Sequence, residues 1–469
     1  MISLKLRCHG CAALVDPGDP SVRNPFRCPN VDRAPNVDHV LVWDPASAGV
    51  GKWPRDSSLN PYIRYRELQH GYWLHRSLGA TDADHVALVE RIDSALIANG
   101  GVGFVATPFT ELPDAAAALG VGEVWAKIET GNVGGSHKAR HLMGIILHLE
   151  ARRVSMHSAL AIASCGNAAI AAATLAKAVR RPLQVFVPIW VKEPVRASLR
   201  ALGAKLSESP RTPTDPPGDP CLHRFHEALK AGALPFCVQG SENGLTIDGG
   251  ASLGHELADQ FAMLGAVPDR LFVQTGGGAL GSSVARGLRD ALHLGVISTL
   301  PKMHFVQSVG CAPLERAWRR VAARALTSLG NVDALHSDPS TVAAALMEPS
   351  AREAVGEALS HAATHRSQYM WAWEDEPASI ATGILDDETY DWLALLRAMF
   401  DTGGWPIVAE EKHFEYALRL ACPNANTELC CNADYTGASS LAGAVVLAEA
   451  GILHPTEVIA TLVTGVRRT

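Results

Sequence analysis

The sequence predicts an α/β protein with two open, mostly parallel sheets. From about residue 124 onward, short β-rich runs are followed by glycine-bearing loops and then by alanine-rich helical stretches, an alternation typical of βαβ units. The chain has 469 residues, of which 47% are hydrophobic and 19% are charged. That length is sufficient for two domains, and the composition favours a buried core over disorder.

The first hundred residues differ from the rest of the chain. They are rich in proline, aspartate, asparagine and arginine, and no helical period is sustained before the segment that begins at Pro61. We therefore expect residues 1–100 to form an N-terminal extension wrapped on the main body.

The later elements follow in chain order. Strands are expected where β-branched and aliphatic residues precede a glycine loop, and helices where good helix formers follow it. The expected strands span residues 124–129, 161–164, 185–188, 271–274 and 458–463, and the clearest helices span 142–149 and 168–178. Five prolines between residues 207 and 220 predict a surface loop. Residues 330–420 are expected to form helical connections packed on the sheet.

Charge and hydropathy exclude several classes of protein. The net charge of -7 gives no overall field that attracts nucleic acid. No uninterrupted apolar run approaches the roughly 18–20 residues that a bilayer span needs, and the first residues lack the apolar core of a secretory signal. We expect a cytoplasmic protein without nucleic-acid or membrane partners, whose ten cysteines form no dense disulfide framework.

A lysine stands in the first of three glycine-containing loops, each of which follows a candidate strand. The run from Gly131 to Arg140 places Lys138 at a helix start, beside small residues. The positive end of the helix dipole and burial would both lower the pKa of its amine, as a Schiff-base lysine requires. The alternative is a solvent-facing lysine in the first helical turn.

The other two loops offer hydrogen-bond donors at helix starts. The run from Thr275 to Ala279 contains three consecutive glycines, whose amides can surround a phosphate. Its spacing matches neither the dinucleotide fingerprint nor the Walker loop. The run from Ser164 to Asn167 offers hydroxyl, amide and backbone donors suited to a carboxylate or a ring hydroxyl. Taken singly, the first run could be a tight turn and the second a helix cap.

Together the three loops resemble those of the fold type II pyridoxal-phosphate enzymes, the family of tryptophan synthase β-chain, threonine synthase and the serine and threonine dehydratases. The resemblance covers about residues 101–469, and the motifs follow the family's order. It implies pyridoxal 5′-phosphate as cofactor, a small amino acid as substrate and a homodimer. It also implies a large cofactor-binding domain of residues 101–140 and 236–469, and a small α/β domain of residues 141–235 that carries the asparagine loop.

The resemblance further implies a role for each motif residue. Lys138 would bind the cofactor covalently and later move the α-proton of the substrate, while Thr464 would face the pyridine nitrogen. Asn167 would hydrogen-bond the phenolic oxygen of the ring and, with Ser164 and Gly166, bracket the substrate carboxylate. The phosphate would be held by Thr275, Gly276, Gly277, Gly278 and Ala279.

The implied chemistry takes place at the β-carbon. A neutral hydroxyl at the pyridine nitrogen does not hold the ring protonated, so the ring is a restrained electron sink. Loss of the α-proton and of a β-substituent would form an aminoacrylate, which ends either in keto acid and ammonia or in attack by a new nucleophile. Our first hypothesis is the deaminating lyase, of the dehydratase or ammonia-lyase type.

The subfamily signals conflict. Residues 244–250 and 436–443 resemble threonine synthase, but that enzyme usually carries aspartate after the lysine, where this chain has Ala139. The run from Lys138 to Arg140 resembles dehydratases, whereas His137 resembles tryptophan synthase. The alternatives are a threonine-synthase-like or other β- or γ-replacement synthase, and an inactive amino-acid-sensing or scaffold protein of the same fold.

Three further polar residues flank the lysine. We interpret His137 and His141 as hydrogen-bonded wall residues in preference to proton carriers. We interpret Arg140 as a member of a structural ion pair in preference to a ligand for substrate anions.

The extension contains a candidate metal motif. The run from Cys8 to Cys11, followed by Cys28, resembles the zinc-ribbon extension of some threonine synthases, but no second close cysteine pair follows Cys28. Three thiolates and His39 could complete a tetrahedral site, although their spacing is irregular. We expect a degenerate ribbon that has lost its metal and keeps buried thiols.

Overall fold

Among the residues that the structure describes, three sheets of three, six and four strands form the framework of the protein. The structure is a computed structural model that describes residues 2–468, except 18, 20, 23–24, 216–217 and 423–431. The predicted α/β class, with two mostly parallel sheets, is confirmed. Within the described ranges, no helix is long and apolar enough to cross a membrane.

The N-terminal extension contains a small antiparallel sheet and three helices. Its elements are β1 (Leu6–Cys8), β2 (Leu14–Val15), β3 (Leu41–Val42), α1 (Pro61–Arg64), α2 (His70–Ser77) and α3 (Asp82–Ala98). Strand β1 lies between the other two. Helix α3 begins with a capping box, in which the side chains of Thr81 and Asp84 each accept a hydrogen bond from the other's backbone amide. The buried side chains of the extension share one core with the four-stranded sheet.

The next segment leads into the helix that carries the lysine. Its elements are β4 (Phe109–Glu111), α4 (Pro113–Leu119), β5 (Glu123–Ile128) and α5 (Lys138–Ala151). Helix α5 is buried around almost its whole circumference, because α2, α6 (Asn167–Ala178) and α9 (Leu245–Leu264) pack against it. The predicted domain boundary after residue 140 falls inside this helix, and the division into domains stays a prediction.

The four-stranded sheet is parallel throughout, in the order β8-β7-β6-β9. Around α6, its elements are β6 (Leu160–Ala163), β7 (Leu183–Val187), α7 (Glu193–Ala201), β8 (Lys205–Glu208), α8 (Pro220–Lys230) and β9 (Leu234–Pro235). The described part of the proline-rich segment connects β8 to α8.

The remaining chain completes the six-stranded sheet, in the order β12-β11-β10-β13-β5-β4. After α9, its elements are β10 (Arg270–Gln274), α10 (Ala279–His293), β11 (Lys302–Ser308), α11 (Pro313–Ser328), α12 (Pro339–Met347), α13 (Arg352–Thr364), α14 (Trp392–Thr402), β12 (Pro406–Ala409), α15 (Glu411–Ala421), α16 (Tyr435–Glu449) and β13 (Val458–Val463). Neighbouring strands are parallel except for the outermost pair, β4 and β5. Helical connections lie in residues 330–420, as predicted, but the prediction is wrong at residues 406–409, which form strand β12. Its proline is tolerated at the first residue of an edge strand.

Helix α9 packs backbone to backbone against α5 on one side and α10 on the other. A Cβ atom on Gly249 would lie 2.5 Å from the carbonyl oxygen of Arg140, and one on Gly254 would lie 2.6 Å from the carbonyl oxygen of Val284. Only glycine permits approaches this close. The helix that carries Lys138 and the helix that follows the three glycines are therefore both held against α9.

Candidate active site

The loops that the sequence analysis singled out meet at one place. Ser136 lies opposite Gly465 in an isolated antiparallel bridge, in which the amide of Val466 donates to the carbonyl oxygen of Gly135 and the amide of His137 to that of Thr464. The Arg468 guanidinium donates to Oδ1 of Asn167 (2.8 Å) and to the carbonyl oxygen of Gly134 (2.6 Å). The lysine loop, the asparagine loop and the end of the chain are thereby connected.

Lys138 is the first residue of helix α5 and is only partly accessible to solvent. In the part of the chain that the structure describes, its ammonium has no hydrogen-bond or ion-pair partner. Desolvation lowers the pKa of Lys138, and the carboxylates of Asp386 and Asp391 partly oppose that shift. The amine is thus easier to deprotonate than a surface lysine, which a Schiff-base lysine requires.

The asparagine loop forms the start of helix α6, with Gly166 as its N-cap and Asn167 as its first residue. The Ser164 hydroxyl accepts a 3.4 Å hydrogen bond from the Gly166 amide. Because Arg468 donates to Oδ1 of Asn167, the amide NH₂ group is the end of that side chain left to donate to a ligand. Free amides at the helix start add donors for an anion.

The three glycines lie between strand β10 and helix α10. Gly278 is the N-cap and has a φ of 94°, a left-handed conformation that glycine adopts without strain. The Gly277 amide donates a 2.6 Å hydrogen bond to Oδ2 of Asp386. A Cβ atom on Gly276 would lie 2.4 Å from that same oxygen, so the absence of a side chain lets an oxyanion approach. We call the residues from Thr275 to Ala279 the glycine cradle.

Thr464 is buried and lies directly after strand β13. Its Oγ1 atom accepts a 2.5 Å hydrogen bond from Nε2 of Gln274, the residue before the glycine cradle. Since Gln274 uses a lone pair of the hydroxyl, the Thr464 proton is available for an acceptor. Sequence reasoning missed Gln274, which looked like the last residue of an ordinary strand.

The three polar residues beside Lys138, namely His137, Arg140 and His141, are all buried. Burial lowers the pKa of His137 and that of His141, the latter to about 3, and Nδ1 of His141 lies 3.0 Å from the carbonyl oxygen of Thr246. Arg140 is buried and pairs with Glu129 (2.8 Å) and Glu256 (2.7 Å). It belongs to a structural ion pair, as its sequence context indicated.

Two acidic residues at the site were not found from the sequence. Asp386 and Asp391 lie on the connection between α13 and α14. Burial raises the pKa of both, in Asp391 to about 8 with the nearby Asp38 as a second cause, whereas Lys138 opposes the shift in Asp386. No local pattern marks either residue, because each reaches the site through a long connection. Arg468 was also missed, because its contacts with Asn167 and Gly134, which lie 301 and 334 residues earlier in the chain, follow only from the fold.

The donors fit a cofactor that has an aldehyde, a phosphate and a ring nitrogen. Lys138 suits the aldehyde, and the glycine cradle already binds a carboxylate through Gly277. Two buried polar atoms near these residues, Oγ of Ser136 and Oε1 of Gln274, have no hydrogen-bond partner within the described residues. The lysine loop after β5 and the oxyanion cradle after β10 both follow strands of the six-stranded sheet, each at the start of a helix. With a second, parallel sheet that carries the asparagine loop, this arrangement defines the fold type II enzymes that use pyridoxal phosphate.

Comparison with known families gives the same class. The chain belongs to the pyridoxal-phosphate dependent enzyme family, whose model matches residues 102–396, more than half of the chain. The recognition of the family and of its cofactor from the sequence is thereby confirmed.

Individual relatives differ in their reactions. A threonine synthase from Methanosarcina acetivorans is 28% identical over 249 residues, 51% of this chain and 55% of the relative, so the chain spans about half of that relative's length. Threonine deaminase isoform 2 from Solanum lycopersicum superposes with a TM-score of 0.55 at 15% identity, covering 82% of this chain and 85% of the other. Diaminopropionate ammonia lyase from Escherichia coli also has a TM-score of 0.55, at 14% identity, with 81% and 89% covered. At these identities the two structures show a shared fold.

Proposed function

We propose that this protein is a lyase that removes the α-proton and a β-substituent from a small amino acid and releases a keto acid and ammonia. The observation that supports this most directly is the hydrogen bond from Gln274 to Thr464. Because Gln274 donates this bond, the neutral Thr464 hydroxyl keeps its own proton, which it could donate to a ring nitrogen that carries none. Such a ring delocalises negative charge only in part, which favours rapid expulsion of a β-substituent.

Lys138 would act at two stages. When bound, the cofactor supplies the aldehyde that Lys138 holds and the ring that withdraws electrons from the α-carbon. The lowered pKa of Lys138 favours a neutral Nζ atom. Once the substrate amine has taken the place of Lys138 on the cofactor, this atom can accept the α-proton. Partial burial keeps bulk water from competing for that proton.

The asparagine loop would orient the substrate. The Ser164 hydroxyl and the free amides at the start of helix α6 are placed to donate to a carboxylate. The NH₂ group of Asn167, fixed by Arg468, would donate to the ring hydroxyl. The homodimer and the division into residues 1–100, 141–235 and the remaining chain are part of the same proposal.

A replacement synthase is the second candidate function. It is favoured by the threonine synthase from Methanosarcina acetivorans, which matches half of this chain. Both candidates begin with removal of the α-proton. A β-replacement would then lose the same β-substituent as the lyase, whereas a γ-replacement would expel its leaving group from the γ-carbon. They differ in whether water or a second nucleophile completes the reaction.

The test is an assay of the purified protein supplied with pyridoxal phosphate. L-serine, D-serine, L-threonine and an amino acid with a better β-leaving group are added singly, and keto acid and ammonia are measured. The proposal expects equal amounts of both products from at least one substrate, and no product from Lys138→Ala. A new β-substituted amino acid that forms only when a thiol or amine is added, without keto acid or ammonia, would favour a β-replacement synthase. Cofactor binding without turnover of any substrate would favour the inactive protein.

A further inference from the structure

Four potential metal ligands meet in the N-terminal extension. The Sγ atoms of Cys8, Cys11 and Cys28 and a ring nitrogen of His39 all lie within 4.8 Å of one another. Sγ of Cys8 is 3.5 Å from Nδ1 of His39, and Sγ of Cys11 is 3.5 Å from Sγ of Cys28. The irregular spacing in the sequence therefore conceals a compact cluster.

The cluster has the dimensions of a tetrahedral zinc site. Thiolate sulfurs bind zinc at about 2.3 Å and imidazole nitrogens at about 2.0–2.1 Å. A tetrahedron with these radii has sulfur–sulfur edges of about 3.8 Å and sulfur–nitrogen edges of about 3.5 Å. The two 3.5 Å separations are close to these edges, and the other separations do not exceed 4.8 Å.

A backbone carbonyl fixes the orientation of the His39 ring. Nε2 of His39 lies 3.0 Å from the carbonyl oxygen of Ala34. That nitrogen must therefore donate, which leaves the lone pair on Nδ1, the nitrogen that faces Cys8. Metal-binding histidines are typically fixed in this way by a backbone carbonyl.

We propose that Cys8, Cys11, Cys28 and His39 bind one zinc ion, which fixes the fold of the N-terminal extension. Three sulfurs and one nitrogen are a common donor set of closed structural zinc sites. Three of the four ligands are buried, and the four together leave no open position for a substrate. The site is independent of the cofactor and of the reaction proposed above.

The cluster lies next to residues that are connected by hydrogen bonds to the glycine cradle. Asp38, beside His39, accepts a 2.9 Å hydrogen bond from Nε1 of Trp392. The backbone amide of Asp391, the residue before Trp392, donates a 2.9 Å hydrogen bond to the carbonyl oxygen of Gly277. The metal ligand His39 is thus connected to the glycine cradle through a short series of hydrogen-bonded residues.

The primary test is the zinc content of the full-length protein, purified under reducing conditions and without added chelator. We expect about one zinc per chain by elemental analysis, and its stoichiometric release when a mercurial reagent titrates the thiols in the presence of a chromogenic chelator. Protein prepared with cobalt(II) chloride in place of zinc should show the intense d–d bands of a tetrahedral site, with sulfur-to-metal charge transfer.

Variants separate this cluster from adventitious binding. Cys28→Ser and His39→Ala should each lower the zinc content at least tenfold, whereas His39→Cys should retain it by supplying a fourth thiolate. Cys237→Ser, which removes a buried thiol outside the cluster, should leave it unchanged. If a ligand variant does not fold, the cobalt spectrum of the unaltered protein still decides. Four outcomes would overturn the proposal: metal-free protein that binds neither ion, an octahedral cobalt spectrum, zinc retained in both ligand variants, or a Cys11–Cys28 disulfide.

Discussion

The backbone amide of Gly277 donates a 2.6 Å hydrogen bond to the carboxylate of Asp386. A side-chain carboxylate thereby occupies a donor of the glycine cradle that a cofactor phosphate would use. Asp386 lies on a connection between helices, so it can be displaced without disturbing either sheet. The cradle is built to bind oxyanions, and this chain contains its own competitor for it.

Replacement of Asp386 by asparagine should tighten cofactor binding. The substitution removes a negative charge that opposes the phosphate, and we expect the dissociation constant of pyridoxal phosphate to fall roughly tenfold. It can be measured by titrating the cofactor-free protein and recording visible absorption. Asp387→Asn, at the neighbouring acidic residue, is the control and should have a smaller effect. Weaker binding in Asp386→Asn would show that the carboxylate supports the cofactor.

Replacement of Lys138 by alanine should abolish covalent attachment of the cofactor. The protein should keep its fold, because the side chain has no hydrogen-bond partner among the described residues. Borohydride reduction followed by peptide mapping should find a stable adduct on Lys138 in the unaltered protein and none in the variant. Lys230→Ala, at an exposed lysine, should retain the adduct. An adduct that persists in Lys138→Ala would identify a different lysine.

Replacement of Thr464 by alanine should slow turnover more than it lowers stability. The lost hydrogen bond to the ring nitrogen should cost roughly ten- to a hundredfold in kcat, while the loss of the bond from Gln274 costs only about 1 kcal/mol of unfolding free energy. Thr464→Ser keeps the hydroxyl and should retain most of the rate. Equal rates in the alanine and serine variants would remove Thr464 from the mechanism.

Replacement of Arg140 by alanine should destabilise the fold strongly. Arg140 is buried between Glu129 and Glu256, and Glu256 also pairs with Lys127 at 2.7 Å. Removal of one partner leaves buried carboxylates without compensation, at a cost of about 3–5 kcal/mol of unfolding free energy. Arg91→Ala, which removes the more exposed ion pair with Glu150, should cost under about 1 kcal/mol. Chemical denaturation of both variants measures the difference.

Asp391 should make the stability of the protein depend on pH. Burial raises its pKa to about 8 from the usual 3.8. Between these values the folded chain retains a proton that the unfolded chain has released, so this group lowers the free energy of unfolding as pH rises from about 4 to about 8. Asp391→Asn removes that penalty. The free energy of unfolding of the variant, relative to that of the unaltered protein, should rise by on the order of a few kcal/mol between pH 5 and pH 8. The same difference in unfolding free energy at both pH values would contradict this.

The sequence was most informative where the signal is local. The strands before the three loops and the helix from Asn167 to Ala178 follow from β-rich runs, glycine loops and alanine-rich stretches that lie side by side in the chain. Strand β12 was missed because it has four residues and begins with proline in a region dominated by helix formers. Its place depends on pairing with β11, which no local pattern encodes.

The same distinction applies to the candidate site. The lysine, the asparagine and the three glycines belong to motifs, so their roles could be proposed from the sequence. Asp386 reaches the site from more than a hundred residues away, and nothing in its flanking residues indicates a ligand. Arg468 follows Thr464 by four residues, but its hydrogen bond to Asn167 spans 301 residues of the chain, and no local pattern encodes that contact. For His39, the spacing in the chain argued against a shared site with the cysteines, whereas the folded extension brings all four together.

The glycine contacts of helix α9 bear on how the protein should respond to heat. Because backbone touches backbone at Gly249 and at Gly254, the separation between the lysine helix and the cradle helix does not depend on side-chain rotamers. We therefore expect that few partly unfolded states, in which α5 or α10 shifts while the other helix stays in place, are populated on modest warming. We expect loss of the cofactor and loss of secondary structure to share a single cooperative transition, so that the colour of the loaded protein would disappear at its melting temperature and not before.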